Sequence, residues 1–175
     1  MGGCADSVSI YEAEVIERPP CGLINVRARR QDCDCLERPL RLTLPRSPNT
    51  AVVNNGLAAF WLGPDEWLVR TEDGEEISLA AEMRARARGR HVAITVVSDA
   101  YVVYGVRGRD SREVLCQGTG IDLHPNAFPP GWCVRTVYGK TTVILHHSGD
   151  GCYEIYAWRS YARYLGEYLR ASVGV

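Results

Sequence analysis

Three groups of residues in this chain have the types and spacing that chemistry uses. Asp122, His124 and Cys133 lie in GIDLHPNAFPPGWC (residues 120–133) and offer an acid, a base and a nucleophile. Cys33-Asp34-Cys35, with Cys21 upstream, offers soft and hard ligands for a metal ion. His146-His147 is a pair of adjacent imidazoles. None of the three closes. Nucleophilic catalysis also needs an oxyanion donor and a group that orients the base, and the sequence names neither. Structural zinc sites space paired cysteines by two to four residues and use four ligands, whereas one residue separates Cys33 from Cys35 and no second pair follows. Adjacent residues of a strand face opposite sides of the sheet, so His146 and His147 cannot share one ion without a bulge. There is no Walker A loop, His-Glu-x-x-His or Gly-x-Ser-x-Gly string, and Gly118-Thr119-Gly120 follows a helix instead of opening one. Sequence reasoning therefore assigns no catalytic, cofactor-binding or metal-binding residue.

The same 120–133 stretch reads better as a stiff loop. In Ile121-Asp122-Leu123 the two aliphatics bury and the acid points out. His124-Pro125 and Pro129-Pro130-Gly131 stiffen the backbone and remove amide donors. Aromatic side chains on a preorganised segment lose little entropy on docking and suit an interface. Asp122, His124, Phe128, Pro129, Pro130 and Trp132 are accordingly the candidate partner interface. The competing reading is a packed loop that covers one end of the sheet.

The elements that position these residues can be read from periodicity and punctuation. CGLINVRAR (21–29) alternates as a first strand, and a short helix precedes the turn signals Arg46-Ser47-Pro48-Asn49 and Asn54-Asn55-Gly56. LAAFWLG and EWLVRT form a hairpin about Gly63-Pro64-Asp65. A helix is expected from Ser78 as N-cap, with Leu79, Ala80, Met83 and Ala87 on one side and arginines at its C-terminal end. VAITVV and AYVVYGV read as buried strands joined at Ser98-Asp99. A second helix opens at Asp110 with Glu113 completing an acidic capping box, and stops at Gly118. CVRTVYG, TTVILHH and CYEIYAW give three more strands. A last helix from Ser160 presents Tyr161, Tyr164, Leu165, Tyr168 and Leu169 at helical spacing. Short links imply antiparallel pairing, so the expected class is α+β, an antiparallel sheet with helices packed on it. Residues 1–19, polar and acidic, are expected to be a flexible or docking arm, and residues 20–175 one domain.

Composition narrows the function classes. The net charge of −1 provides no global field for nucleic acid or an anionic membrane. Of the basic residues, 19 are arginine and Lys140 is the only lysine. No stretch is apolar enough to span a bilayer, and the first 20 residues have neither a basic n-region nor an apolar h-region. Seven cysteines cannot all pair with one another. A cytoplasmic protein with mostly reduced thiols is the expectation.

WLGPDEWL (61–68), VSD (97–99), REVLCQGTGIDLHPNAFPPGWC (112–133) and RSYARYLGEYL (159–169) occur in the order and spacing of one family. Over residues 57–170 the chain resembles the gamma subunit of heterotetrameric sarcosine oxidase. The resemblance implies a fold similar to the folate-binding domain of the glycine-cleavage aminomethyltransferase. It implies alpha, beta and delta partner subunits that hold FAD, FMN, NAD, zinc and tetrahydrofolate, with no cofactor bound by this chain. The implied assembly oxidatively demethylates sarcosine, or a related N-methyl amine, to glycine. Formaldehyde or 5,10-methylenetetrahydrofolate, with hydrogen peroxide, are the other products. Two further classes stay open on sequence: a stand-alone folate-dependent one-carbon enzyme, and a scaffold or binding module outside any oxidase.

Overall fold

The computed structural model describes residues 10–174. The chain divides into two compact units instead of the single domain expected over 20–175. One unit comprises Met1–Arg18, Val102–Pro130 and Thr136–Val175, and the other Pro19–Tyr101 with Gly131–Arg135. The fold class is α+β as expected, but with two five-stranded antiparallel sheets.

The first sheet has the order β1-β7-β10-β9-β8, from Ala13–Glu17 (β1), Tyr101–Gly108 (β7), Cys133–Tyr138 (β8), Thr141–Gly149 (β9) and Cys152–Trp158 (β10). Helices Ser111–Cys116 (α3) and Ala162–Val173 (α4) pack with it. The arm expected over residues 1–19 is, at Ala13–Glu17, an edge strand paired antiparallel with β7 (Ile16 opposite Gly105). Its first nine residues lie outside the described part. The acidic outward positions of AEVIE hide an alternation that pairing makes useful, and Glu14 meets Arg107 across the strands at 2.7 Å. Asp110 precedes α3 as expected, yet its carboxylate accepts the Glu12 amide (2.8 Å) and not an amide of its own helix. Glu113 pairs with Arg112, so no capping box forms.

The second sheet has the order β3-β4-β5-β2-β6, from Gly22–Ala28 (β2), Ala51–Asn54 (β3), Leu57–Gly63 (β4), Glu66–Thr71 (β5) and Val92–Val96 (β6). Helices Asp34–Leu40 (α1) and Glu75–Arg86 (α2) cover it. Their apolar side chains, Leu36, Leu40, Ala80 and Met83, share one core with Ile24, Val26, Ala59, Trp67 and Val69. Pro39 has no amide to offer the Cys35 carbonyl, and α1 ends one residue later with Arg41 left-handed at φ 49°. α2 starts three residues before the expected Ser78. Gly74 (φ 83°) turns the chain, Glu75 and Glu76 fill the first turn, and Ser78 donates back to the Glu75 carbonyl. β6 and β7 were expected as neighbours, but a 3-10 turn at Ser98–Ala100 separates them into different sheets.

Close packing in the first unit centres on Tyr138, which is fully buried. Its ring meets Tyr168 edge-on at 5.5 Å, and the Tyr168 hydroxyl donates to the Gln117 carbonyl at 3.0 Å. Gly118 lies directly beneath that ring, and any Cβ there would overlap it. Gly166 does the same inside α4, where a Cβ would stand 2.7 Å from the Tyr104 hydroxyl oxygen. Overpacking a core that cannot yield costs about 1–3 kcal/mol. Gly118→Ala should therefore lower the melting temperature of the chain by several degrees, at roughly 2–4 °C per kcal/mol. A thermal melt superimposable on wild type would show that the Tyr138 ring is free to shift.

Candidate functional site

The 120–132 loop holds itself in shape. The Asp122 carboxylate accepts the His124 amide at 2.8 Å, an Asx-type turn, and His124 Nδ1 accepts the Asn126 amide at 3.3 Å. The amides of Ala127 and Phe128 both donate to the His124 carbonyl at 2.8 Å. Both side chains of the supposed acid–base pair are thus engaged with backbone, and Asp122 orients no imidazole. These bonds give the loop expected from sequence its internal support, and no strand forms between α3 and β8.

The candidate interface residues separate. Asp122, His124 and Pro130 are exposed, Pro129 is half-buried, and Phe128 is buried at 3% exposure. Trp132 is half-buried and belongs to the other compact unit, where its backbone bridges Thr50 while the Ala51 amide donates to the Gly131 carbonyl. Phe128 therefore does not project outward as expected. Its ring stacks toward His147 (6.2 Å, 10°), and His147 stacks in turn on Tyr153 (4.4 Å, 14°). The His147 Nδ1–H donates to the Phe128 carbonyl at 2.9 Å; a carbonyl only accepts, so that nitrogen carries the proton.

On the opposite face of β9, His146 Nδ1 lies 3.2 Å from Glu154 Oε2, and the Tyr156 hydroxyl donates to the same oxygen at 2.9 Å. The register places His146 opposite Glu154 and His147 opposite Tyr153. The two histidines thus face opposite sides, as the strand period requires. Both are buried, which sequence reasoning left open as a structural or surface role. The signal for burial was the unbroken apolar run Val143-Ile144-Leu145 leading into them. Glu154 also borders a cleft of about 290 Å³ with Ile16, Arg18, Gly105, Ser148 and Cys152.

The cysteines are dispersed. Cys133 is buried, and its thiol donates to the carbonyls of Thr50 (3.3 Å) and Trp61 (3.6 Å). Burial pushes its pKa up to about 12, so it carries almost no thiolate at neutral pH. It also falls in a different compact unit from Asp122 and His124. Cys33 donates to the Arg29 carbonyl and Cys35 to that of Asp32, and burial raises both thiols. Among the described residues no group of three or more His, Cys, Asp or Glu side chains is placed to hold a metal ion. No helix among them is long and apolar enough to cross a membrane.

Two helix-backed antiparallel sheets define an α+β fold. The structure of the glycine cleavage system aminomethyltransferase T from Bartonella henselae is similar over 90% of this chain and 45% of that one, with a TM-score of 0.67 at 17% identity. The chain belongs to the sarcosine oxidase, gamma subunit family, whose model matches residues 27–174. A sarcosine oxidase subunit gamma from Corynebacterium sp. (strain P-1) is 30% identical over 114 residues, covering 65% of this chain and 55% of that protein. An Arthrobacter sp. subunit gamma is 32% identical over 54% of this chain and 46% of its own length. The chain thus spans about half the length of the curated relatives it matches. A heterotetrameric sarcosine oxidase structure from Corynebacterium sp. U-96, in complex with pyrrole 2-carboxylate, covers 92% of this chain and 83% of its own, with a TM-score of 0.87 at 21% identity.

Two outcomes follow from this geometry. Phe128→Ala should cost about 3–5 kcal/mol of folding stability, measured by urea unfolding, whereas His124→Ala should cost little. Equal, small losses would return Phe128 to the surface. In a thiol titration at pH 8 Cys116, the exposed one among the described cysteines, should react well ahead of Cys133, which should label only after denaturation. Native labelling of Cys133, read by peptide mapping, would contradict its burial.

Proposed function

We propose that this chain is a structural subunit of a heterotetrameric sarcosine-oxidase-type flavoenzyme, with no active site of its own. The observation that carries the reading is the family match over residues 27–174, and the fold likeness over 92% of the chain supports it. The partners would be alpha, beta and delta subunits in the cytoplasm. They would hold the FAD, FMN, NAD and zinc, and bind tetrahydrofolate as one-carbon acceptor. In the reaction the N-methyl carbon of sarcosine, or of a related N-methyl amine, loses two electrons and dioxygen is reduced to hydrogen peroxide. Glycine remains, and the carbon leaves as formaldehyde or passes to tetrahydrofolate as the 5,10-methylene derivative.

The geometry fits this division of labour. The acid, base and thiol that sequence offered for catalysis are each committed to backbone partners, and His146, Glu154 and Tyr156 bond to one another in the interior. Affinity capture of the tagged chain from its native host tests the reading. Large, yellow, flavin-bearing partners and sarcosine-dependent peroxide formation are expected in the captured material, and no visible flavin absorbance from the chain purified alone. Flavin retained stoichiometrically by the isolated chain would overturn the assignment of catalysis to the partners. Capture without flavoproteins would overturn membership of the complex and leave a stand-alone one-carbon enzyme or an unrelated scaffold.

A further inference from the structure

Seven of the nineteen arginines fall in two short stretches, residues 27–30 at the end of β2 and residues 84–91 at the end of α2. The second unit folds these stretches together. Arg90 Nη1 donates to the Gln31 carbonyl at 3.4 Å and to the Asp34 carboxylate at 3.1 Å, tying the two loops. Beside them opens a cleft of about 400 Å³ lined by Arg27, Arg29, Arg90, His91 and Asp65. The charge there is only partly neutralised. Arg27 meets Asp65 at 3.4 Å in a largely exposed pair, Arg86 pairs with Glu82, and Arg90 with Asp32 and Asp34. Arg84 donates to the Ile94 carbonyl, which leaves its charge uncompensated. Arg29, Arg30 and Arg88 are exposed, with no ion-pair partner among the described residues.

We propose that this arginine face binds an acidic segment of a partner subunit, an inference that rests on the chain's being part of an oxidase complex. The free guanidinium groups are spread over exposed positions and do not converge on one buried point. An exposed ion pair contributes only about 0–1 kcal/mol, so a small anion gains little here and a ligand bearing several carboxylates gains much more. Arginine suits that ligand because its planar fork grips carboxylate with two parallel hydrogen bonds. Strand addition is not the mode. β6 is an edge strand, but the Arg84 guanidinium already occupies the Ile94 carbonyl. The partner is read through its side chains. Nucleic acid fits less well, since no Phe, Tyr or Trp lines the cleft for bases to stack on.

The test titrates the full chain into the flavin-bearing partner subunits at about 50 and 300 mM NaCl, a range over which screening of exposed charges changes strongly. Wild type is compared with the double variant Arg29→Glu/Arg88→Glu, and with Arg109→Glu, an exposed arginine of the other unit. Reversing the two face charges should weaken binding about tenfold at low salt, mostly through the association rate, and flatten the salt dependence. Arg109→Glu should bind as wild type, and all three melts should coincide. A double variant with wild-type affinity and salt slope overturns the proposal while membership of the complex stands. Failure of wild type to bind any flavin-bearing subunit overturns both. Binding of a random-sequence DNA duplex by wild type, lost on charge reversal, would make nucleic acid the occupant and overturn the acidic protein segment.

Discussion

Adjacent histidines buried on opposite faces of one strand are the constraint from which the first unit can be understood. An imidazole removed from water without a hydrogen-bond partner costs a few kcal/mol (about 1–3). His146 and His147 therefore each need a polar neighbour on their own side of β9, and strand geometry does not let them share one. On one side the register supplies Glu154 directly opposite, with Tyr156 two residues along the same strand donating to the same oxygen. On the other side the acceptor is a loop carbonyl. The loop between α3 and β8 brings the Phe128 carbonyl to His147, and the Phe128 ring adds to the stack that Tyr153 begins. The prolines of that loop then have a structural purpose. They hold in place a carbonyl that a strand would have spent on its ladder.

This explains which features could be read in the residues and which could not. The link between β9 and β10 was legible, because Ser148-Gly149-Asp150-Gly151 puts positive φ where the turn demands it, Asp150 at 50° and Gly151 at 68°. Asn54-Asn55-Gly56 was legible as a turn, with Asn55 at 46° and Gly56 at 83°, but the strand β3 before it was not. The separation of β6 from β7 was not legible. Ser98-Asp99 has the chemistry of a turn, and nothing local tells a turn that pairs two strands from one that sends the chain to another sheet. Phe128 was misread for a related reason. Phenylalanine among prolines carries the same local signal whether its ring faces out or in, and only the distant His147 decides the direction. Asp110 marked the start of α3 correctly, yet its carboxylate serves the amide of Glu12, nearly a hundred residues away in the chain. Local pattern placed the elements; long-range polar partners decided which side chains were consumed.

The candidate site shows the same division. The stiff loop was visible in sequence, and its internal bonds at Asp122 and His124 follow from Asx-turn chemistry. The paired environment of His146 was not visible, because Glu154 becomes its neighbour only through the register of a hairpin with a bulge near Cys152. The arginine face was half visible. Each stretch is conspicuous by itself, and a coding bias towards arginine would put it in place of lysine anywhere in the chain. Such a bias does not account for two stretches from separate elements meeting beside one cleft.

A TM-score of 0.67 at 17% identity to an aminomethyltransferase means that the two chains share an architecture while most of their residues differ. Fold alone therefore carries no chemistry to this chain, and function has to be sought in what the side chains do. Many of its interior polar groups answer to one another, and Cys133, a fully buried thiol, is held protonated. Among the described residues, Arg29, Arg30 and Arg88 are exposed without an ion-pair partner, gathered at one end of one unit. Arginine charge left unspent on a folded surface suits a chain to being held by an acidic partner, because complementary charge steers association. That is where the proposed place in a complex finds its physical support.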